Sequence, residues 1–130
     1  MSEKEERAQR AVAIKRMVGN CCVAVLLTYA DQLGMSEAQL RKLGAPFGVG
    51  MGGFEATCGA VCGAQMVLGM TSPDGRPVIR DAKGLVEKFR AKAGAIRCRD
   101  LKGIDTGVML CSCENCVKYA VESLEEQRQG

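Results

Sequence analysis

Apolar residues along this chain recur mostly at helical spacing. Over residues 2–18, Ala8, Val12, Ile14 and Val18 make an imperfect stripe, and the first turn is acidic, as a helix dipole favours. Gly19-Asn20 interrupts the pattern. Asn20 is placed to cap a second helix from Cys21 to Leu33, with Gly34 as its stop. Ser36 and Gln39 have capping-box spacing and open a short helix to about Leu43. Pro46 and the glycines after it form a loop, and a central helix is predicted from about Phe54 to Leu68. Ser72-Pro73-Asp74-Gly75 is a turn by composition. Asp81 is placed to cap a helix to about Ala93, with Leu85, Val86 and Phe89 as its apolar face. Ala95 to Leu101 makes one more short turn around Cys98. Ser112 or Glu114 opens the last helix, to about Glu126, with Val117, Ala120, Val121 and Leu124 inward. Strand-like alternation is limited to Gly107–Leu110. The pattern predicts an all-α fold: one compact domain over residues 1–130, a bundle of five to six helices.

The central stretch, Gly48 to Gly69, is unusual in its small residues. Cys58 and Cys62, Gly59 and Gly63, and Ala56, Ala60 and Ala64 repeat every four positions, so each set shares a helix face. Interior glycines cost roughly 0.5–1 kcal/mol each relative to alanine. Close approach of a neighbouring backbone is the natural compensation. The rest of the chain is therefore expected to pack around this helix and bring its own cysteines to it. The glycine loop before it could cradle a phosphate through backbone N–H groups, but its spacing matches neither nucleotide fingerprint. A tight turn into the helix, or N–H groups aimed at sulfurs, fits better.

Composition narrows the function. A chain of 130 residues, 47% hydrophobic and 25% charged, suits one soluble globular domain. No apolar run approaches the roughly 18 residues of a membrane span, and no cleavage signal follows the run Cys21–Leu27, so a cytoplasmic protein without membrane contact is expected. Net charge is +3, interspersed, with only 4% aromatics, which speaks against nucleic-acid binding. There are eight cysteines and no histidine. Absence of histidine excludes c-type haem attachment, mixed Cys/His zinc sites and His-dependent nucleophilic catalysis.

In a reducing compartment, eight thiols point to metal or redox work. Cys22 alone reads as a small core residue. The strongest local signal is Cys111-x-Cys113-x-x-Cys116, where two sulfurs can face one centre, as iron–sulfur, zinc and redox-disulfide sites require. Cys113 and Cys116 would fall in the first turn of a helix, which favours thiolates. Arg97 or Arg99 could lower a thiol pKa nearby.

Asn20-Cys21, then Cys58-Gly59-Ala60-Val61-Cys62-Gly63, then Arg97-Cys98-Arg99-Asp100-Leu101, then Cys116 before an apolar helix resemble the C_GCAxxG_C_C family of small redox-active proteins, over about residues 8 to 125. The resemblance implies redox function and iron–sulfur ligation, since a related domain in split-Soret cytochromes is associated with an iron–sulfur centre. It carries the family cysteines onto Cys21, Cys58, Cys98 and Cys116. This chain departs from that pattern by adding Cys22, Cys62, Cys111 and Cys113, of which Cys62 and Cys113 are candidates to extend the ligand set. The expectation is an iron–sulfur protein for electron transfer or redox sensing, working with a redox partner protein. A homodimer through the small-residue face is compatible with it. Two alternatives remain open: a thiol–disulfide oxidoreductase using Cys113 and Cys116, and an all-cysteine zinc or Cu(I) module.

Overall fold

The computed structural model describes residues 1–129 of the chain. Its right-handed α-helices are α1 (Glu3–Val18), α2 (Cys21–Thr28), α3 (Ala30–Leu33), α4 (Glu37–Gly44), α5 (Gly59–Thr71), α6 (Ile79–Ala93), α7 (Cys98–Lys102) and α8 (Cys113–Gln129). A 3-10 turn, Ala45–Phe47, follows α4. Gly48–Met51 makes helix-type hydrogen bonds, but Val49 and Gly50 are left-handed there, so it is a turn. No strand occurs among the described residues, in keeping with the all-α expectation. Helices of eight residues or more number six; α3 and α7 are short additions.

Capping residues act largely where the sequence puts them. The Asn20 side chain accepts the Val23 N–H at 3.0 Å, and Ser36 with Gln39 closes a capping box. Ser112 rather than Glu114 opens α8, its hydroxyl accepting the Asn115 N–H at 3.1 Å. Two boundaries differ from expectation. The segment from Cys21 to Leu33 is not one helix, because Tyr29 leaves helical geometry (φ −111°, ψ 19°). The helix expected to follow an Asp81 cap already begins at Ile79, and Asp81 lies in its first turn, 3.0 Å from Arg76.

The centre of the molecule is α2 rather than α5. Every residue from Cys22 to Thr28 is buried, as expected for a helix apolar on all sides. It packs against α1, α4, α5 and α8, and α8 also packs on α1, α5 and α6. Full burial of each large aliphatic side chain here contributes about 1.5–3 kcal/mol. The small-residue face of α5 lies directly on α2, as the glycine spacing foretold. A Cβ added to Gly59 would stand 2.7 Å from the Phe47 carbonyl oxygen, and one added to Gly63 would stand 3.0 Å from the Cys22 carbonyl oxygen.

At the C-terminal end of α2, Tyr29 is fully buried and its hydroxyl donates to Glu125 Oε2 at 2.7 Å. The Arg7 and Arg128 guanidinium carbons lie 4.9 and 5.2 Å from the ring centroid, and Arg128 pairs with Glu125 at 2.6 Å. This polar cluster ties α1, α2 and α8 together far along the helix from Cys21. It pins Tyr29 and explains the break there. No helix among the described residues is long and apolar enough to cross a membrane.

Candidate functional site

The central helix was expected from Phe54, but it starts at Gly59. A long-range pairing takes the intervening residues. Cys58 N–H donates to the Ile96 carbonyl at 2.8 Å, Cys98 N–H to Ala56 at 3.0 Å, and Arg99 N–H to Phe54 at 2.8 Å, with Thr57 opposite Arg97 as an antiparallel bridge. An extended strap thus lies beside the segment that opens α7 and brings Cys58 and Cys98 together. It also moves Cys58 out of the helix body to its N-cap.

Four thiol-bearing residues share this position. Cys21 is the first residue of α2, Cys58 the N-cap of α5, Cys98 the first residue of α7 and Cys113 the first residue of α8. All four line one cavity of about 200 Å³, together with Lys15 and Lys102, and no carboxylate lines it. Helix N-termini present unpaired N–H groups and positive dipole ends, which work against the cost of burying a thiolate; at Cys58 the Ala60 and Val61 N–H groups act in that sense, although the Cys116 side chain and burial still win. Among the described residues no three His, Cys, Asp or Glu side chains are gathered to hold a single metal ion.

The glycine loop is one wall. Val49, Gly50, Met51 and Gly52 all have positive φ, and Val49 and Phe54 face the cavity. Left-handed geometry costs a β-branched residue about 1–3 kcal/mol. A Cβ at Gly50 would lie 2.6 Å from Cys98 Cβ, so only glycine lets the loop close over that thiol. Three of the loop's N–H groups are used within the loop rather than held open for a phosphate. The N–H groups of Gly52, Phe54 and Ala56 are taken by the carbonyls of Gly48, Val49 and Gly50.

The thiols at the wall shift one another, while their hydrogen bonds run to backbone carbonyls: Cys21 Sγ donates to the Cys113 carbonyl at 4.0 Å and Cys116 Sγ to the Cys111 carbonyl at 3.9 Å. The neighbouring Cys21 side chain, together with Lys102, outweighs burial and holds Cys113 below the ordinary thiol range, whereas the Cys113 side chain and burial push Cys21 up. The Cys116 side chain and burial push Cys58 up. Cys111 and burial leave Cys116 at about 12, and Cys116 with Lys102 draws Cys111 down. Burial pushes Cys98 up.

Cys116 is fully buried and does not line the cavity, whereas Cys113 is in the wall itself. Cys62, the sixth candidate, points away to the Thr57 carbonyl, 3.8 Å distant, and burial raises it. Cys22 is fully buried in the core and burial pushes it up to about 12.

The cation at the thiols is not Arg97 or Arg99. Arg97 pairs with Asp100 at 3.0 Å, and Arg99 with Asp105 at 2.7 Å and Glu55 at 2.9 Å, all on the surface. Lys102 takes that place, with Nζ 3.0 Å from the Cys111 carbonyl and 3.6 Å from Cys116 Sγ. Burial alone would lower its pKa, but Cys116 and Cys113 more than compensate and raise it. Sequence reasoning missed Lys102, although Cys98 and Lys102 stand four apart on one short helix and so share a face.

Against protein-family models, residues 19–127 match the family described as "Putative redox-active protein (C_GCAxxG_C_C)". No curated protein and no solved structure matches the chain.

Proposed function

The chain belongs to the C_GCAxxG_C_C family, and from that membership we propose that it is a redox protein that holds an iron–sulfur cluster in the cavity at the joined helix N-termini. One observation carries the reading: four thiols, each at a helix start, line a single cavity with two lysines and no carboxylate. That donor set suits the group. Iron–sulfur clusters take soft, deprotonated sulfur ligands, and the helix starts and lysines offset the negative charge those ligands bring.

Cys21, Cys58, Cys98 and Cys113 would hold the cluster, with the buried Cys116 beside it, hydrogen-bonded to Lys102 and the Cys111 carbonyl. Bound there, the cluster would accept and return electrons singly. The chain's own part is to orient the sulfurs from four separate segments and to keep water out with Val49 and Phe54 at the mouth. Such shielding and the hydrogen bonds to sulfur are what tune a cluster's potential.

A second reading is thiol–disulfide exchange. It is favoured by the placing of Cys21 and Cys113 on one cavity wall, with Cys21 Sγ 4.0 Å from the Cys113 carbonyl and the Cys113 thiol held below its ordinary range by Cys21 and Lys102. In that case the working pair would be Cys113 with Cys21, not Cys113 with Cys116.

Metal and acid-labile sulfide analysis, with a visible spectrum, on protein purified without oxygen separates these readings. Iron with matching sulfide and absorption near 400 nm, roughly where thiolate-to-iron charge transfer falls, supports the cluster. Metal-free protein that turns over with a dithiol donor supports exchange. Zinc or Cu(I) without colour would replace both.

A further inference from the structure

We propose that Lys102 is the fixed countercharge of the bound cluster and raises its reduction potential. The inference rests on the cluster reading above and goes beyond it by naming the residue that tunes it. Lys102 is half-buried and its ammonium is held between the Cys111 carbonyl at 3.0 Å and Cys116 Sγ at 3.6 Å. It lines the same cavity as Cys21, Cys58, Cys98 and Cys113. The arginines near the site are already spent on carboxylates: Arg16 on Glu114 at 3.0 Å, Arg97 on Asp100 at 3.0 Å and Arg99 on Asp105 at 2.7 Å. Among the described residues Lys102 has no carboxylate partner, so its charge is left for the sulfurs.

The short helix α7 makes this charge part of the site. Cys98 opens the helix and Lys102 closes it, so one rigid turn sets both the thiol and the cation. Four thiolates around a cluster carry net negative charge, and reduction adds one more electron. A positive charge in a partly buried setting stabilises the reduced form more than the oxidised one, which raises the potential. Lys15 also lines the cavity, but it makes no hydrogen bond to sulfur or to the Cys111 carbonyl among the described residues. Its influence should be smaller.

The test is a spectroelectrochemical titration of anaerobically purified full-length wild type, Lys102→Gln, Lys102→Arg and Lys15→Gln, with iron and sulfide measured on each. Glutamine removes the charge while leaving an N–H donor on a slightly shorter side chain, and Lys102→Arg keeps the charge on a different shape, so the pair separates charge from side-chain geometry. The expected result is equal loading, a lower midpoint potential for Lys102→Gln, a potential near wild type for Lys102→Arg, and a smaller shift for Lys15→Gln. Loaded Lys102→Gln with an unmoved potential, or an equal shift in Lys15→Gln, overturns the role of Lys102 while leaving the cluster in place. If Lys102→Gln fails to load, a loaded Lys102→Arg supports the need for charge, and an empty Lys102→Arg overturns it. Wild type without iron and sulfide overturns the cluster reading itself, and the inference with it.

Discussion

The same substitution at two glycines of α5 should have opposite effects on stability. Replacing an interior helical glycine by alanine gains about 0.5–1 kcal/mol in helix propensity. At Gly69 a new Cβ meets nothing within 4 Å, so Gly69→Ala should keep that gain and stabilise the chain by about 0.5–1 kcal/mol. At Gly63 the new Cβ would lie 3.0 Å from the Cys22 carbonyl oxygen and 3.0 Å from Val25 Cβ. Helices α2 and α5 must then shift apart, and overpacking of this kind costs about 1–3 kcal/mol. Subtracting the propensity gain leaves Gly63→Ala destabilised by roughly 0–2.5 kcal/mol. The propensity term is common to both sites, so the difference between them isolates the contact: about 1–3 kcal/mol. The assay is urea unfolding of reduced, metal-free protein, comparing midpoints at unchanged m-value. Equal shifts for the two variants, or a Gly63→Ala protein as stable as Gly69→Ala, would refute the claim that α5 is glycine-rich because it lies against α2.

Four further outcomes are expected. Cys113→Ser should lose most of the iron and sulfide while Cys62→Ser, whose thiol points to the Thr57 carbonyl, keeps them; equal retention in both would remove Cys113 from the cavity wall as a ligand. Val49→Gly should stabilise the chain by about 0–2.5 kcal/mol, read as a higher urea midpoint, since it relieves left-handed strain worth about 1–3 kcal/mol against a glycine entropy cost of about 0.5–1 kcal/mol; a lower midpoint would show that the valine side chain contributes more than its backbone costs. Tyr29 should resist ionisation in alkali, because burial and its hydrogen bond to Glu125 raise its pKa. Its raised folded pKa adds stability that is fully present below the unfolded value of about 10 and falls as pH rises above it; tyrosinate absorbance for this residue should therefore appear only with unfolding, and early ionisation in the folded state would contradict its burial. Tyr29→Phe should cost about 1.5–3 kcal/mol in chemical unfolding, from one lost hydrogen bond to a charged group, with Arg128 left to satisfy Glu125; a neutral result would show that the ring's packing alone holds that end of α2.

Much of this protein is legible along the chain because it depends on neighbours in sequence. Periodicity set α1, α4, α6 and α8 to within a few residues, with side-chain caps adding to it at α4 and α8 but not at α6, since the groups that decide them lie within one turn. The spacing of Gly59 and Gly63 likewise announced a close helix contact, though not that the partner would be the wholly apolar α2. Cys21, Cys58, Cys98 and Cys113 were all named as candidates from the residues and the family resemblance. What the sequence could not say is where each thiol ends up. A local pattern carried the central helix back to Phe54, but hydrogen bonds from Cys58, Cys98 and Arg99 across some forty residues draw that stretch into an extended strap. That pairing puts Cys58 at a helix start and brings Cys98 beside it. Lys102 was likewise invisible as the site's cation, because both nearby arginines look equally suitable until their carboxylate partners are seen. Sequence by itself determined the helices, their caps and the supply of thiols, since these follow from near neighbours. Only the tertiary structure decided that four helix N-termini meet at one cavity and that Lys102 is hydrogen-bonded among the thiols there, since both depend on contacts between residues far apart in the chain.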